Sequence, residues 1–330
     1  MRAKNHSSDQ VIGVDVGGTK VAAGIVDALG KILAQTRASM NCRGSAQDGL
    51  ASVLSAIESL FAQDATARKK IHCIGICAPG PLDPRTGVII NPPNVPCWRD
   101  FPLSDEVAKH YSAHVKVDND ANAGGLAEHL WGAGRGFRNV FFATIGTGIG
   151  TGIVLDGRIF HGRTGSAAEG GHVSIDLNGP VCNCGKKGCI EILASGTAIA
   201  RRAREKLAES PERGAQLLTL AKGDVASVRS EMVGKAAEAG DLLARDILDQ
   251  TLEYLSVWLG NVVDLLEPEV IILGGGAGQM LRPHFCEIQK RMHRWCVNSR
   301  YQEIPIVPAH YGENAGIAGG AALCLSNTLL

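Results

Sequence analysis

Two segments of the chain share one plan, in which an apolar strand, a glycine turn and a second strand follow each other. The first, VIGVDVGGTKVAAGIVDALGKIL, begins at Val11, and the second, VFFATIGTGIGTGIVLDGRIF, begins at Val140. In this alignment Gly146 falls on Gly17 and Asp156 falls on Asp27. Apolar runs that flank a glycine turn predict a β-hairpin. The repeat therefore predicts two halves of similar fold, each of which presents one glycine turn.

The rest of the chain alternates strands with helices, which predicts an α/β architecture. The predicted elements are a helix near Asp48–Ala62, a strand over Ile71–Cys77, a proline-rich loop over 78–102, a strand over Val115–Val117, a mostly helical region over 197–266 that ends before Pro268, a buried strand over 270–273 and a C-terminal helix of small residues. Spacing predicts one buried face in the helical region, formed by Leu252, Leu255, Leu259, Val262 and Leu266. The repeat places a domain boundary near residue 118.

Charge and composition exclude several classes of partner. The chain has 33 basic and 33 acidic residues in 330, so we expect no binding to nucleic acid or to an anionic membrane. The first ten residues are polar, and no apolar run reaches the length of a membrane-spanning helix. Seven of the ten cysteines are scattered without regular spacing, as expected of reduced thiols. We therefore expect a cytoplasmic protein with small-molecule partners.

Glycines at both hairpin tips allow backbone N–H groups to surround an anion, because no β-carbon blocks the approach. Together with Asp15 and Lys20 beside the first turn, they favour binding of a polyphosphate. The alternative is that each is only a turn. A P-loop is absent, and GGGAG, which begins at Gly274, only approaches the dinucleotide fingerprint because Gln279 stands at its third glycine.

Three polar residues, Asp118, Asn119 and Asp120, come at the end of a predicted strand and just before a predicted helix. Ligands of α/β proteins bind at the carboxyl ends of strands, so one of these carboxylates is a candidate general base. The alternative is that a residue here only caps the helix.

One histidine and three cysteines form a candidate metal site. His172, Cys182, Cys184 and Cys189 offer the Cys₃His ligand set of a closed structural zinc site, with two glycines for the tight turns between them. A redox role is disfavoured because the spacings are Cys-x-Cys and Cys-x₄-Cys. Folding around zinc would bring Glu169 and Glu191 together, although either could be a surface charge.

Five segments resemble, in the same order, the motifs of the ROK (repressor, open reading frame, kinase) family of sugar kinases and regulators. They are DVGGTK at 15–20, NDANA at 119–123, IGTGIGTG at 145–152, EGGH at 169–172 and CNCGKKGCIE at 182–191. The resemblance implies the actin- and hexokinase-like ATPase fold, with two RNase H-like domains around a cleft. It also implies that the C-terminal helix rejoins the first domain. The expected domains are a small one, 1–118 plus about 314–330, and a large one, 119–313, with the zinc loop.

The resemblance also assigns roles to residues. Asp120 is expected to be the catalytic base, and a sugar is expected to be held by Asn94, Asn119, Asp120, Glu169, His172 and Glu191. ATP is expected to be bound by Asp15, Gly17, Gly18, Thr19, Lys20, Gly146, Thr147, Gly148, Gly274, Gly275 and Gly276. Asp15 is expected to contact Mg²⁺, and His172 is expected to serve both zinc and sugar.

Within the family, the resemblance favours an enzyme. The first glycine motif begins at Val11, and ten residues are too few for a helix-turn-helix domain, so we expect a kinase and not a DNA-binding repressor. NPPNVPCWRDFPL and NDANAGGLAEHLWGAGRG resemble the glucokinase branch, which implies phosphorylation of the 6-hydroxyl of glucose. The alternatives are a kinase of N-acetylmannosamine or another hexose, and a catalytically silent sugar-binding regulator. The habit of the family implies a homodimer or homotetramer.

Overall fold

The computed structural model describes residues 10–64 and 67–325. By contacts the chain divides into two compact units. The first consists of Met1–Asn139, Gly152–Ala168 and His310–Leu330, and the second of Val140–Thr151 and Glu169–Ala309. The predicted domains differ, because they assign 119–139 and 152–168 to the large domain, and that division stays a prediction. Residues 1–9 and 326–330 of the predicted small domain lie outside the described residues, and so do nine of the ten residues before Val11.

The strands are β1 (Gln10–Val16), β2 (Lys20–Asp27), β3 (Ile32–Ser39), β4 (Cys73–Ala78), β5 (Leu82–Asp83), β6 (Val88–Ile89), β7 (His114–Asn119), β8 (Val140–Ile145), β9 (Ile149–Leu155), β10 (Arg158–Ile159), β11 (Val270–Gly274) and β12 (Ile306–Pro308).

The helices are α1 (Ala46–Gln63), α2 (Ala67–Lys70), α3 (Leu103–Ala108), α4 (Asp120–Leu130), α5 (Ile190–Ala194), α6 (Gly196–Glu209), α7 (Ala215–Leu220), α8 (Ser230–Glu238), α9 (Leu242–Leu266), α10 (Gly275–Leu281), α11 (Phe285–Arg291) and α12 (Ala315–Leu325). Among residues 10–64 and 67–325, none of these helices combines the length and apolar composition that crossing a bilayer requires.

The two five-stranded sheets have the same plan. Their orders are β3-β2-β1-β4-β7 and β10-β9-β8-β11-β12. In the first, β1, β2 and β3 are antiparallel, and β4 and β7 run parallel to β1. In the second, β11 runs parallel to both β8 and β12. This correspondence agrees with the predicted duplication, since β8 and β9 fall on β1 and β2.

In the first unit the parallel strands β1, β4 and β7 end at one edge of the sheet. Asp15 of β1 lies opposite Cys77 of β4, and Cys77 lies opposite Asp118 of β7. Helix α1 begins two residues before its predicted start, because Ser45 forms a capping box with Asp48. Its apolar face covers the sheet.

Helix α12 packs closely on the other side of β1 and β4 in the first unit. A β-carbon at Gly75 would overlap the carbonyl oxygen of Gly320, so the small residues permit this approach. A disulfide between Cys73 and Cys324 joins β4 to α12. The expectation that all scattered cysteines are reduced is therefore wrong for these two, because the pairing depends on a contact between segments distant in sequence.

In the second unit helix α9 supplies the predicted buried face. Leu252, Leu255, Leu259 and Val262 are buried, and Leu266 is half-buried at the end of the helix. The helix ends where Glu267 adopts a left-handed conformation, with φ of 40°, immediately before Pro268.

Candidate functional site

The glycine turn between β1 and β2 carries the first set of candidate phosphate-binding residues. Gly17 closes the turn by donating its N–H to the carbonyl of Lys20 at 2.9 Å, and Thr19 and Lys20 are exposed. Asp15 is half-buried in β1, two positions before Gly17. Burial raises the pKa of Asp15, whereas the charges of Lys20 and Arg37 act to lower it. A cation bound beside Asp15 would therefore stabilise the ionised form of its carboxyl group.

The proline-rich loop places Asn94 at the same turn. A β-carbon on Gly18 would lie 2.5 Å from the carbonyl oxygen of Asn94, so only glycine permits this approach. The loop is fixed by Val95 and Trp98, which are fully buried, and the Trp98 indole donates to the carbonyl of Ala46 at 3.1 Å. These anchors leave the Asn94 side chain exposed beside the glycine turn.

Asn119 and Asp120 lie where β7 passes into α4. The Asn119 side-chain oxygen accepts from the N–H groups of Ala121 at 2.9 Å and Asn122 at 3.3 Å, so Asn119 is the helix cap. Asp120 is the first residue of the helix and is exposed. In the first unit the structure therefore brings Asp15, the glycine turn, Asn94 and Asp120 to one edge of the sheet.

A histidine that the sequence did not single out also reaches this edge. The Nε2 atom of His161 lies 2.6 Å from Oδ2 of Asp118, and Asp118 is only 3% exposed. No motif pointed to His161, because its partner lies 43 positions earlier and the contact depends on the fold.

In the second unit the turn between β8 and β9 carries the matching glycines. Gly146 donates its N–H to the carbonyl of Gly148 at 2.9 Å and accepts from the N–H of Gly196 at 2.7 Å. A carboxylate oxygen of Glu191 accepts from the N–H of Ile149 at 2.9 Å. The glycine turn is thus fixed by the N-terminal residue of α6 and by a candidate sugar-binding carboxylate on α5.

A cavity of about 480 Å³ lies beside this turn. Its lining includes Gly146, Thr147 and, from the GGGAG motif, Gly276. Gly275 has φ of +81°, and its β-carbon would meet the backbone of Ile145, so glycine is required there for the close approach of α10 to β8. Sequence reasoning missed the other polar side chains of the lining, which come from α6, α8 and the residue before α8: Thr197, Arg204, Arg229, Ser230 and Glu231.

The four predicted zinc ligands converge in the second unit. Their ligand atoms all lie within 4.8 Å of one another. His172 Nδ1 is 3.7 Å from Cys182 Sγ, and Cys184 Sγ is 3.6 Å from Cys189 Sγ. In a tetrahedral Cys₃His zinc site, neighbouring ligand atoms lie about 3.5–3.8 Å apart. The residues therefore fit a structural zinc ion.

The two tight turns of this loop agree with that fit. Gly185 and Gly188 have positive φ, of 88° and 61°. The backbone N–H of Lys186 lowers the pKa of Cys184, whereas burial raises the pKa of Cys189 to about 12. A bound cation would make all the thiols thiolates, because a coordinated thiol is deprotonated.

Two carboxylates flank the histidine of this cluster. Glu169 is exposed just before the short 3₁₀ helix Gly170–His172. Glu191 Oε1 lies 3.9 Å from His172 Nδ1. The 3₁₀ helix is fixed by Trp258, whose indole N–H donates to the carbonyl of Gly170 at 3.1 Å. The second unit therefore holds His172 and Glu191 beside each other, with Glu169 three positions before the histidine.

Comparison with known proteins gives a family model and relatives along most of the chain. The model described as the ROK family matches residues 11–327. The glucokinase of Thermotoga maritima is 34% identical over 328 residues, which cover 95% of this chain and 96% of that protein.

Two solved structures are also similar. A ROK family glucokinase from Streptomyces griseus, in complex with glucose and AMPPNP, is 33% identical with a TM-score of 0.80, over 95% of this chain and 98% of that one. A ROK family transcriptional regulator, homolog of the E. coli MLC protein, is 29% identical with a TM-score of 0.86, over 97% of this chain and 78% of that one.

Proposed function

This chain belongs to the ROK family and has the actin- and hexokinase-like ATPase fold, and we propose that it is an ATP-dependent glucokinase. Family and fold are confirmed as the motifs implied. The reaction is transfer of the γ-phosphoryl group of ATP to the 6-hydroxyl of glucose. As the sugar oxygen bonds to phosphorus, its proton passes to Asp120, and the bond from phosphorus to ADP breaks with its electron pair on ADP.

The observation that carries this proposal is the setting of Asp120. Its carboxylate is exposed on the first residue of α4, and Asn119 caps that helix. The residue lies at the edge of the sheet where Asp15 and the first glycine turn also lie. A general base needs access to the hydroxyl from which it takes a proton, and Asp120 has that access.

The remaining candidate residues hold the substrates in this proposal. Asn94, Asn119, Glu169, His172 and Glu191 bond the remaining sugar hydroxyls. The amides of Gly17, Gly18, Gly146 and Gly148, with Thr19, Thr147 and Lys20, bind the phosphates, and Gly274, Gly275 and Gly276 lie near the adenosine. Such fixed donors suit a reaction that depends on positioning and charge stabilisation.

Two metal ions complete the proposed site. Asp15 would hold Mg²⁺, directly or through water, where the ion would neutralise phosphate charge. His172, Cys182, Cys184 and Cys189 would hold zinc, which would fix the loop that carries His172 and orient Glu191 beside it. Four protein ligands leave no open position for activating water, so the zinc role is structural.

A second candidate is a catalytically silent sugar-binding regulator. The likeness to a ROK transcriptional regulator, with a TM-score of 0.86, favours it, because the same fold serves that protein. The exposed carboxylate of Asp120 favours the kinase, since a regulator that only binds sugar needs no general base.

Steady-state ATP turnover with glucose, mannose, fructose and N-acetylmannosamine tests this function. We expect turnover that depends on sugar, with the highest kcat/KM for glucose. A higher kcat/KM for N-acetylmannosamine would favour the alternative kinase. Sugar binding by calorimetry without any turnover would favour the regulator.

A further inference from the structure

A buried hydrogen bond lies directly behind the turn that carries Asp120. His161 Nε2 and Asp118 Oδ2 are 2.6 Å apart, and their side chains are only 16% and 5% exposed. Asp118 is the last residue but one of β7, two positions before Asp120. A carboxylate this buried requires donors to offset its desolvation, and the imidazole N–H of His161 is the donor at Oδ2.

The other oxygen of Asp118 engages the turn itself. Oδ1 accepts from the backbone N–H of Asn119 at 2.7 Å and from the side-chain amide of Asn122 at 3.2 Å. One of these donors precedes Asp120 and the other follows it on the first turn of α4. The Asp118 carboxylate therefore links the end of the strand to the start of the helix, on both sides of the proposed base.

His161 comes from a separate segment of the first unit. It follows β10, and its carbonyl accepts the N–H of Ala167 at 3.1 Å. Its side chain also lines a cavity of about 740 Å³ with Lys116, Arg158 and Asp118. Because the pair joins this loop to the turn, the loop limits how far Asp118 can rotate, and Asp118 limits how far the turn can shift.

We propose that His161 is a positioning residue, which acts through Asp118 to hold Asp120 in the orientation that takes the proton of the substrate hydroxyl. This inference rests on the proposed function. His161 itself contacts no reacting atom and transfers no proton; it donates one hydrogen bond. Misplacement of a catalytic group by about 1 Å can cost roughly 10²-fold in rate.

The test compares two amides at this position. In glutamine the amide nitrogen can reach the place of the imidazole Nε2, whereas in asparagine it falls short. We expect His161→Ala and His161→Asn to lower kcat by about 10- to 100-fold with KM for glucose changed little, as for loss of an outer hydrogen-bond partner. His161→Gln should recover most of kcat. His114→Ala is the control, because His114 is an exposed histidine at the start of β7, the strand that carries Asp118.

A second arm separates positioning from a general loss of structure. In the Asp120→Asn background, His161→Ala should add little to the loss of kcat, because its effect passes through Asp120. Full additivity of the two effects, or a kcat of folded His161→Ala within twofold of wild type, would overturn the inference. So would equal rates for the Gln and Ala variants. Absence of sugar-dependent turnover in the wild-type protein would instead overturn the proposed function, and the inference with it.

Discussion

Asp118 and Asp120 are two positions apart and have opposite surroundings. Asp118 is 3% exposed and uses both carboxylate oxygens in hydrogen bonds, whereas Asp120 is exposed on the first turn of α4. The sequence identifies both as carboxylates at a strand end. It does not separate them, because their exposure depends on where α4 begins and on His161, which is distant in the chain. The alternative of a helix cap applies to the residue between them, Asn119.

At this scale we expect Asp120→Asn to remove nearly all turnover. Asparagine keeps the shape and much of the hydrogen bonding but cannot accept the proton, and loss of a general base costs about 10²–10⁴-fold in rate. Affinity for glucose, measured by calorimetry, should stay within a few-fold of wild type. Asp105→Asn, an exposed carboxylate on α3, is the matched control. A kcat of Asp120→Asn within a few-fold of wild type would remove Asp120 from the role of base.

At the scale of elements, the candidate zinc loop, residues 173–189, contains no helix or extended strand among the described residues. Between Val173 and Cys189 its β-structure consists of the isolated bridges Val181↔Lys187 and Ser174↔Cys189, and further backbone hydrogen bonds close its turns. The sequence predicts its four candidate ligands because metal-binding spacing is local in the chain. The contacts of residues beside the loop join segments that are distant in sequence. The hydrogen bond between Glu191 and the N–H of Ile149 at the glycine turn could therefore not be predicted.

We expect one zinc ion per chain in the wild-type protein and loss of that ion in Cys184→Ser. Without the ion the loop should relax and misplace His172, and the loss of one hydrogen bond to the sugar should weaken glucose affinity by roughly 10-fold. Elemental analysis and calorimetry measure the two effects. Cys286→Ser, an exposed cysteine on α11, should keep its zinc. Full zinc occupancy in Cys184→Ser would contradict the ligand assignment.

For the whole molecule, the duplication in sequence predicts the strand plan, because glycine turns and apolar runs are local signals. The position of α12 depends on contacts between segments that are distant in sequence, so no local pattern predicts it. Its small residues indicate close packing, but only the structure shows that β1 and β4 receive it and that Cys324 meets Cys73. Glu128 of α4, fully buried, also fixes the return of the chain by accepting from the N–H groups of His310 and Tyr311 at 2.8 and 3.0 Å.

The fold does not decide between kinase and regulator, because relatives of both kinds match over most of this chain. Phosphoryl transfer to the sugar is what distinguishes them. The most direct test follows labelled phosphate from γ-³²P-ATP into glucose, with 6-deoxyglucose as the matched sugar that lacks the acceptor hydroxyl. We predict label in glucose at catalytic turnover, carried on the 6-oxygen, and none in 6-deoxyglucose. No transfer to glucose by zinc-loaded protein that binds both ATP and glucose would contradict the account.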